Sequence, residues 1–162
     1  MESLFNNSIG TFNGDVTAQS LRLEGNNTTV TLGDGINFSV PVTSNANQGK
    51  LDFQGGVTIE KSISSQASPL NEVRFSSNDP AKIVNLKSDI FAGEIFLGGT
   101  IFKPAGNITI TSTNIATTHL NNPVFDLGTD ILRFSGKVVH NDPKGKITIN
   151  TCLLYTSDAA DD

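Results

Sequence analysis

The chain has 162 residues, a length that suits one domain of ordinary size. Asn, Thr, Ser and Gly supply 64 of them, whereas Lys, Arg, Asp and Glu supply only 27, so good helix formers are scarce and a helical bundle is disfavoured. The formal charge is −5 and no basic stripe is present, so we expect no nucleic-acid partner. No apolar run approaches the length of a membrane span, and we expect no membrane contact within this chain.

Short runs that place an apolar residue at every second position follow one another along the chain. They cover residues 20–24, 29–32, 36–40, 50–54, 71–75, 107–111, 130–134 and 146–150. This period predicts strands with one buried and one wet face. Asn-Gly, Gly-Gly and Asn-Asp-Pro sequences between the runs predict turns. The Thr-rich segment 112–120 is the best helix candidate, but it is short, and we predict loop or strand there.

A Phe two residues before a Gly recurs in several of these runs. We assign the core of this repeat to the residues Phe53, Phe75, Phe96, Phe134, Gly55, Gly98 and Gly136. The first three Phe are 22 and 21 residues apart, and the last follows at 38, nearly twice that interval. A period near twenty is typical of stacked coils. The longer interval from Leu23 to Phe53 predicts an inserted loop at residues 42–49, which is almost wholly polar.

A parallel β-solenoid, also called a β-helix, explains this composition. Equivalent residues of successive coils stack at about 4.8 Å, so Asn, Thr and Ser form hydrogen-bonded ladders and apolar residues form inward stacks. A like charge repeated in every coil would repel itself, which accounts for the low charge. Gly after each Phe lets the chain bend between faces. An antiparallel β-sandwich predicts similar alternation and is the alternative.

The last eleven residues, 152–162, differ from the rest and contain the only Cys and the only Tyr. In one reading frame they match the translated mosaic end and adapter of transposase-based sequencing libraries. We therefore expect a solenoid fragment over 1–151 followed by an adapter-derived, disordered tail. Without Asp158, Asp161 and Asp162 the formal charge is −2 rather than −5. The single Cys152 offers neither an internal disulfide nor a zinc cluster.

Residues with catalytic or metal-binding chemistry are sparse. His119 and His140 have no partner at ligand spacing, and Gly33-Asp34-Gly35 is a lone instance of a calcium-roll pattern, which predicts a tight turn. We expect no enzyme activity, cofactor or metal. The carboxylates checked for glycosidase or lyase chemistry are those that register could bring to one face, namely Asp52, Asp126 and Asp130.

Three arginines, Arg22, Arg74 and Arg133, each sit between two apolar strand residues and so are expected to face outward. Solubility and protection of sheet edges are their simplest role. The sharper hypothesis is that they mark a weakly charged surface that binds a host-cell protein or glycan through many shallow contacts.

Over residues 10–151, phrases such as Leu51-Asp52-Phe53-Gln54-Gly55 and Leu132-Arg133-Phe134-Ser135-Gly136 resemble the passenger domains of bacterial autotransporters, most closely rickettsial surface antigens of the outer-membrane A and B type. The resemblance implies a right-handed β-helix that is exported by a C-terminal β-barrel of the full-length protein (type V secretion). It also implies display at the bacterial cell surface, on the outer membrane, and adhesion to host cells. The alternative function is a carbohydrate-active β-helix, a polysaccharide lyase or glycosidase.

Overall fold

The computed structural model describes residues 2–117, 122–140 and 146–151, with the backbone alone for Glu2 and His140. The predicted tail 152–162 lies outside the described residues. Within them the strands are β1 (Glu2–Asn6), β2 (Ile9–Phe12), β3 (Ser20–Glu24), β4 (Thr29–Leu32), β5 (Ile36–Phe38), β6 (Val42–Ser44), β7 (Gln48–Phe53), β8 (Val57–Ile59), β9 (Leu70–Phe75), β10 (Ile83–Leu86), β11 (Ile90–Leu97), β12 (Ile101–Pro104), β13 (Asn107–Thr117), β14 (Val124–Gly128), β15 (Ile131–His140) and β16 (Thr148–Thr151). That part of the chain contains no helix long and apolar enough to cross a membrane.

The strands form three parallel sheets wound into a β-solenoid of about seven coils. One sheet has the order β1-β3-β6, a second β16-β14-β12-β10-β8-β5, and the third β15-β13-β11-β9-β7-β4-β2. The coil of β3, β4 and β5 and the coil of β6, β7 and β8 each contribute one strand to each sheet in turn, whereas the later coils contribute strands only to the six- and seven-stranded sheets. The predicted solenoid is confirmed and the alternative antiparallel sandwich is wrong, because paired strands run parallel and antiparallel pairing is confined, among the described residues, to the bridge between Ser65 and Ser68.

The register of the seven-stranded sheet shows the repeat directly. Successive inward positions pair across β4, β7, β9, β11 and β13, and they are occupied by Val30, Leu51, Val73, Ile95 and Ile115. All five side chains are fully buried. The chain returns to this column every 20 to 22 residues, which confirms the period predicted from the Phe spacing.

The six-stranded sheet closes the opposite side of the core in the same way. Its inward column runs through Ile36, Val57, Val84, Phe102 and Phe125. On its outer face the Asn85 amide nitrogen donates to the Thr58 hydroxyl of the neighbouring strand over 3.2 Å. This contact is a polar rung of the kind that the Asn and Thr content predicted.

A run of phenylalanines passes through the core between these two sheets. Neighbouring ring centroids are 5.2 to 5.9 Å apart along the series Phe38, Phe53, Phe75, Phe102, Phe125 and Phe134. The predicted core positions Phe53, Phe75 and Phe134 belong to this run.

The assignment of Phe96 to the core is wrong. Phe96 pairs with Arg74 rather than with Phe75, so it is one residue out of the core column and its ring lies outside the coil. Its neighbours in the strand, Ile95 and Leu97, are the buried ones. A one-residue slip reverses the face because strand side chains alternate.

The predicted inserted loop at 42–49 is also wrong. Val42 begins β6 and is buried, Asn45 to Asn47 form a turn, and β7 already starts at Gln48. Leu23 pairs with Ser44, and Leu32 pairs with Phe53, so Leu23 and Phe53 occupy different columns and the interval between them needs no insertion. A longer connection occurs instead between β9 and β10, where residues 76–82 join the two strands, whereas only residues 54–56 join β7 and β8.

The glycines of the Phe phrase do not share one role. At Gly55 a Cβ would clash with the Asp34 side chain, and at Gly98 it would clash with the carbonyl oxygens of Phe75 and Ser77. Close approach of the neighbouring coil, rather than positive φ, requires glycine at these two corners. Gly136 differs because it lies inside β15, with φ at 141°.

Candidate functional site

The three predicted arginines all lie on outward faces, but the structure does not bring them together. Arg22 is in β3 near one end of the coil stack, and Arg133 is in β15 at the other end. Arg74 is in β9, three strands from β15 in the same sheet, about 14 Å at ~4.8 Å per strand. Arg22 forms an ion pair with Glu24 in its own strand.

Arg74 belongs to a small charged cluster on the outer face of the seven-stranded sheet. The Glu72 carboxylate lies 3.0 Å from the Arg74 Nε and 3.4 Å from the Lys50 Nζ. The Arg74 guanidinium carbon is 4.6 Å from the centre of the Phe96 ring, a cation–π contact. Glu94 is the direct neighbour of Glu72 on the next strand.

The Gly33-Asp34-Gly35 sequence forms a turn, as predicted, and it links three coils. One Asp34 carboxylate oxygen accepts a hydrogen bond of 2.7 Å from the Gly56 N–H, and the other pairs with the Lys82 ammonium group. The Lys82 hydrogen bond, followed by the bond from Gly56, lowers the pKa of Asp34. The same Asp34 carboxylate raises the pKa of Lys82. This site is a structural clasp between coils.

The acidic residues checked for glycosidase chemistry do not share a face. Asp52 is in β7 of the seven-stranded sheet and accepts a hydrogen bond from the Ser76 hydroxyl. Asp126 is in β14 of the six-stranded sheet, where its carboxylate lies 2.9 Å from the Lys103 ammonium. Asp130 follows β14 in a turn. Among the described residues no group of three His, Cys, Asp or Glu could hold a metal ion.

His119 lies outside the described residues, and His140 is described only as the last backbone position of β15.

A groove on the outer surface lies where the path of the coil changes. In the third and fourth coils, turns at 45–47 and 64–69 separate the strands of adjacent sheets, whereas the later coils run straight through this corner as β11, β13 and β15. Where the coils with turns meet the coils with continuous strands, a groove of about 350 Å³ forms. We call it the corner groove; its lining residues are Asn47, Gln66, Pro69, Phe91, Ala92, Gly93, Thr111, Ser112, Thr113, Ser135 and Gly136.

A β-bulge fixes the floor of the corner groove. The register between β13 and β15 shifts after Thr111, so Ser112 and Thr113 together stand opposite Gly136. The Ser112 hydroxyl is buried, within 3.0 Å of the Gly93 carbonyl oxygen and 2.8 Å of the Asn114 carbonyl oxygen. The bulge leaves Thr113 exposed at the groove. Bulges commonly re-aim a side chain in this way next to binding sites.

Sequence reasoning missed the corner groove. Its residues come from five separate segments, and only the Ser-rich stretch at 62–68 stands out in the chain. That stretch also borders a second hollow of about 300 Å³, whose lining residues are Pro41, Val42, Thr43, Ser44, Ser62, Ser64, Ser65 and Ser68. The turn at 64–69 is thus a ridge between two neutral, polar depressions.

Comparison with known proteins gives no relative from which a site could be transferred. No family model matches the chain, and neither the curated proteins nor the solved structures contain a significant match.

Proposed function

We propose that this chain is part of a non-catalytic scaffold displayed at the bacterial surface, of the autotransporter passenger type, that takes part in adhesion. The observation that carries the proposal is the parallel β-solenoid itself, in which most apolar residues serve the stacking of coils. Six strand spacings separate the ends of its largest sheet, about 29 Å at ~4.8 Å each. Such a stack presents an extended lateral surface to partners.

The experiment that tests display and adhesion together is a fusion. The chain is placed between a signal peptide and an autotransporter β-barrel, and antibody labelling of intact bacteria and protease shaving measure display. Counting bacteria bound to cultured host cells measures adhesion. A barrel without passenger and a barrel carrying an unrelated β-solenoid of similar length are the controls. Failure of display contradicts the passenger assignment, and display with no adhesion above both controls contradicts the adhesive role.

The arginine hypothesis is tested in the same fusion. Replacing Arg22, Arg74 and Arg133 together by Gln should weaken adhesion if they mark the binding surface. A matched variant replaces three lysines on other outward positions, Lys61, Lys87 and Lys103, by Gln. Equal adhesion of both variants and the parent rejects a specific role for the arginines. Deleting 42–49 is unsuitable as a test because it would remove β6 and the buried Val42.

A carbohydrate-active β-helix is the second candidate function. The observation that favours it is the direct pairing of Glu72 and Glu94 on adjacent strands of one outer face, since glycosidases act with two nearby carboxyl groups. Incubation with a panel of polysaccharides and measurement of released reducing ends, or of unsaturated products, tests it. Activity that Glu94→Gln abolishes would replace the scaffold proposal. Equal product release with and without protein would reject the enzyme.

A further inference from the structure

We propose that the corner groove binds a neutral oligosaccharide. This inference rests on the adhesive function proposed above and deepens it by naming a ligand class and a place. Three properties of the groove carry it: the neutrality of its lining, an aromatic face among hydroxyl and amide groups, and the spacing of its rungs.

The groove is lined without any charged side chain, although ion pairs occur on other outer faces of the solenoid. Its polar groups are the amides of Asn47 and Gln66 and the hydroxyls of Thr111, Thr113 and Ser135. Amides and hydroxyls both donate and accept hydrogen bonds, as sugar hydroxyls do. An ionic ligand would find no counter-charge here, whereas an uncharged polyol finds complementary groups.

Phe91 supplies the apolar component. It lies on the outward side of β11 between the buried residues Ile90 and Ala92, and its side chain is half-buried. Ligand sites typically combine an aromatic or apolar surface with a few well-placed polar groups. The C–H face of a pyranose ring presents a flat apolar surface of that size, and the flanking Gln66 and Thr111 can reach its hydroxyls.

The outward positions repeat along the groove. Phe91 pairs with Thr111, and Thr111 pairs with Ser135. Three successive strands, or rungs, therefore each place one side chain in the groove, with a spacing of ~4.8 Å between neighbouring strands. One pyranose unit adds about the same length to an extended chain as one rung adds to the solenoid. The groove therefore suits two or three consecutive sugar units that run along the coil axis.

Rigid support is also present. Ser112 is buried at the bulge, and Asn47, which has a φ of 60°, holds its turn by donating its N–H to the Pro69 carbonyl oxygen over 2.8 Å. A groove on fixed strands loses little freedom when a ligand binds.

The test titrates the purified full chain with cellohexaose and mannohexaose, with hexagalacturonate as the acidic comparison, by calorimetry. We expect binding of a neutral hexasaccharide, weaker binding of the acidic one, and little change in affinity with added salt, because no ion pair forms. Phe91→Ala should weaken binding about tenfold, the loss of one aromatic contact. Gln66→Ala, in an exposed turn, gives a second variant that spares the core.

Phe96→Ala is the matched control, because it removes the same side chain from the outer side of the same strand but outside the corner groove. Unchanged far-UV circular dichroism and unfolding midpoints verify that the variants fold. No binding of either neutral probe, or equal weakening by Phe91→Ala and Phe96→Ala, would overturn the proposal. If the chain supports host-cell adhesion but binds no sugar, the proposal for the corner groove is contradicted and the adhesive function stands. If it binds sugar but supports no adhesion, the adhesive function is contradicted and the proposal for the groove stands.

Discussion

Gly136 is the residue at which backbone geometry leaves the fewest choices. Its φ of 141° lies in the region that L side chains avoid, and a Cβ would overlap the Ser112 carbonyl oxygen of the adjacent strand. The bulge that shapes the corner groove therefore requires glycine, which has no Cβ, at position 136.

Replacing Gly136 by Ala should lower the free energy of unfolding by about 3 kcal/mol or more, through strain and overpacking. Urea denaturation measures it. Gly14→Ala is the control, since a Cβ there meets nothing within 4 Å, and it should stay within about 0.5 kcal/mol of the parent. Equal stability of the two variants would contradict the assignment of strain to the bulge.

Asp34 provides a pH-dependent prediction. Lys82 and the Gly56 N–H lower its pKa in the folded chain below the usual 3.8. A lowered carboxyl pKa stabilises the folded state above the unfolded-state value, and that stabilisation disappears as the pH falls through the folded-state value. The unfolding midpoint of Asp34→Asn should therefore lie below that of the parent at neutral pH and approach it in acid. Lys82→Gln should behave in the same way, and stability curves that run parallel at every pH would refute the clasp.

At the scale of the strand, an aromatic residue stabilises the core only if it occupies one of the inward positions that pair across successive strands. Phe53 is fully buried between the rings of Phe38 and Phe75, whereas Phe96 lies outside against Arg74. Both segments have Gly-Gly two residues after the Phe, but Phe53 stands between Asp52 and Gln54, whereas Phe96 lies in the continuous apolar run Ile95-Phe96-Leu97. Alternation therefore does not choose the face of Phe96, and the register does.

Phe53→Ala should destabilise the chain by about 3 to 5 kcal/mol, the usual loss for a buried Phe. Phe96→Ala should cost about 1 kcal/mol, close to one partly exposed cation–π contact. Thermal or urea unfolding of the two variants in parallel gives both numbers. A larger loss for Phe96→Ala than for Phe53→Ala would show that the register is wrong.

Over the whole molecule, each coil is stabilised by the coils above and below it, as in other solenoids. Val73 in the central β9 is fully buried, but Val138 in β15 is 47% exposed and Ile149 in β16 is 62% exposed. Both exposed residues occupy inward columns, opposite Ile115 and Phe125 respectively, and the described strands cover them on one side only.

Hydrogen exchange should therefore follow position along the axis. Hydrogen-bonded amides of β7 and β9 should exchange more slowly than those of β15 and β16, because local opening of a terminal coil breaks fewer contacts. Mass spectrometry of peptic fragments resolves the strands. Uniform protection along the chain would indicate a single cooperative unit in place of a gradient.

The sequence by itself determined the alternation of buried and exposed residues and the period near twenty, and it favoured parallel stacking over the antiparallel sandwich, which the structure then excluded. These properties are local or strictly repeated, so Leu51, Phe53 and Val73 could be placed in the core from spacing alone. Tertiary structure decided the column of each residue and the shape of the corners, because the number of residues used in each turn varies between coils. That is why Phe96 lies outside the core, why 42–49 is part of a coil, and why a groove forms from residues as distant as Asn47 and Ser135.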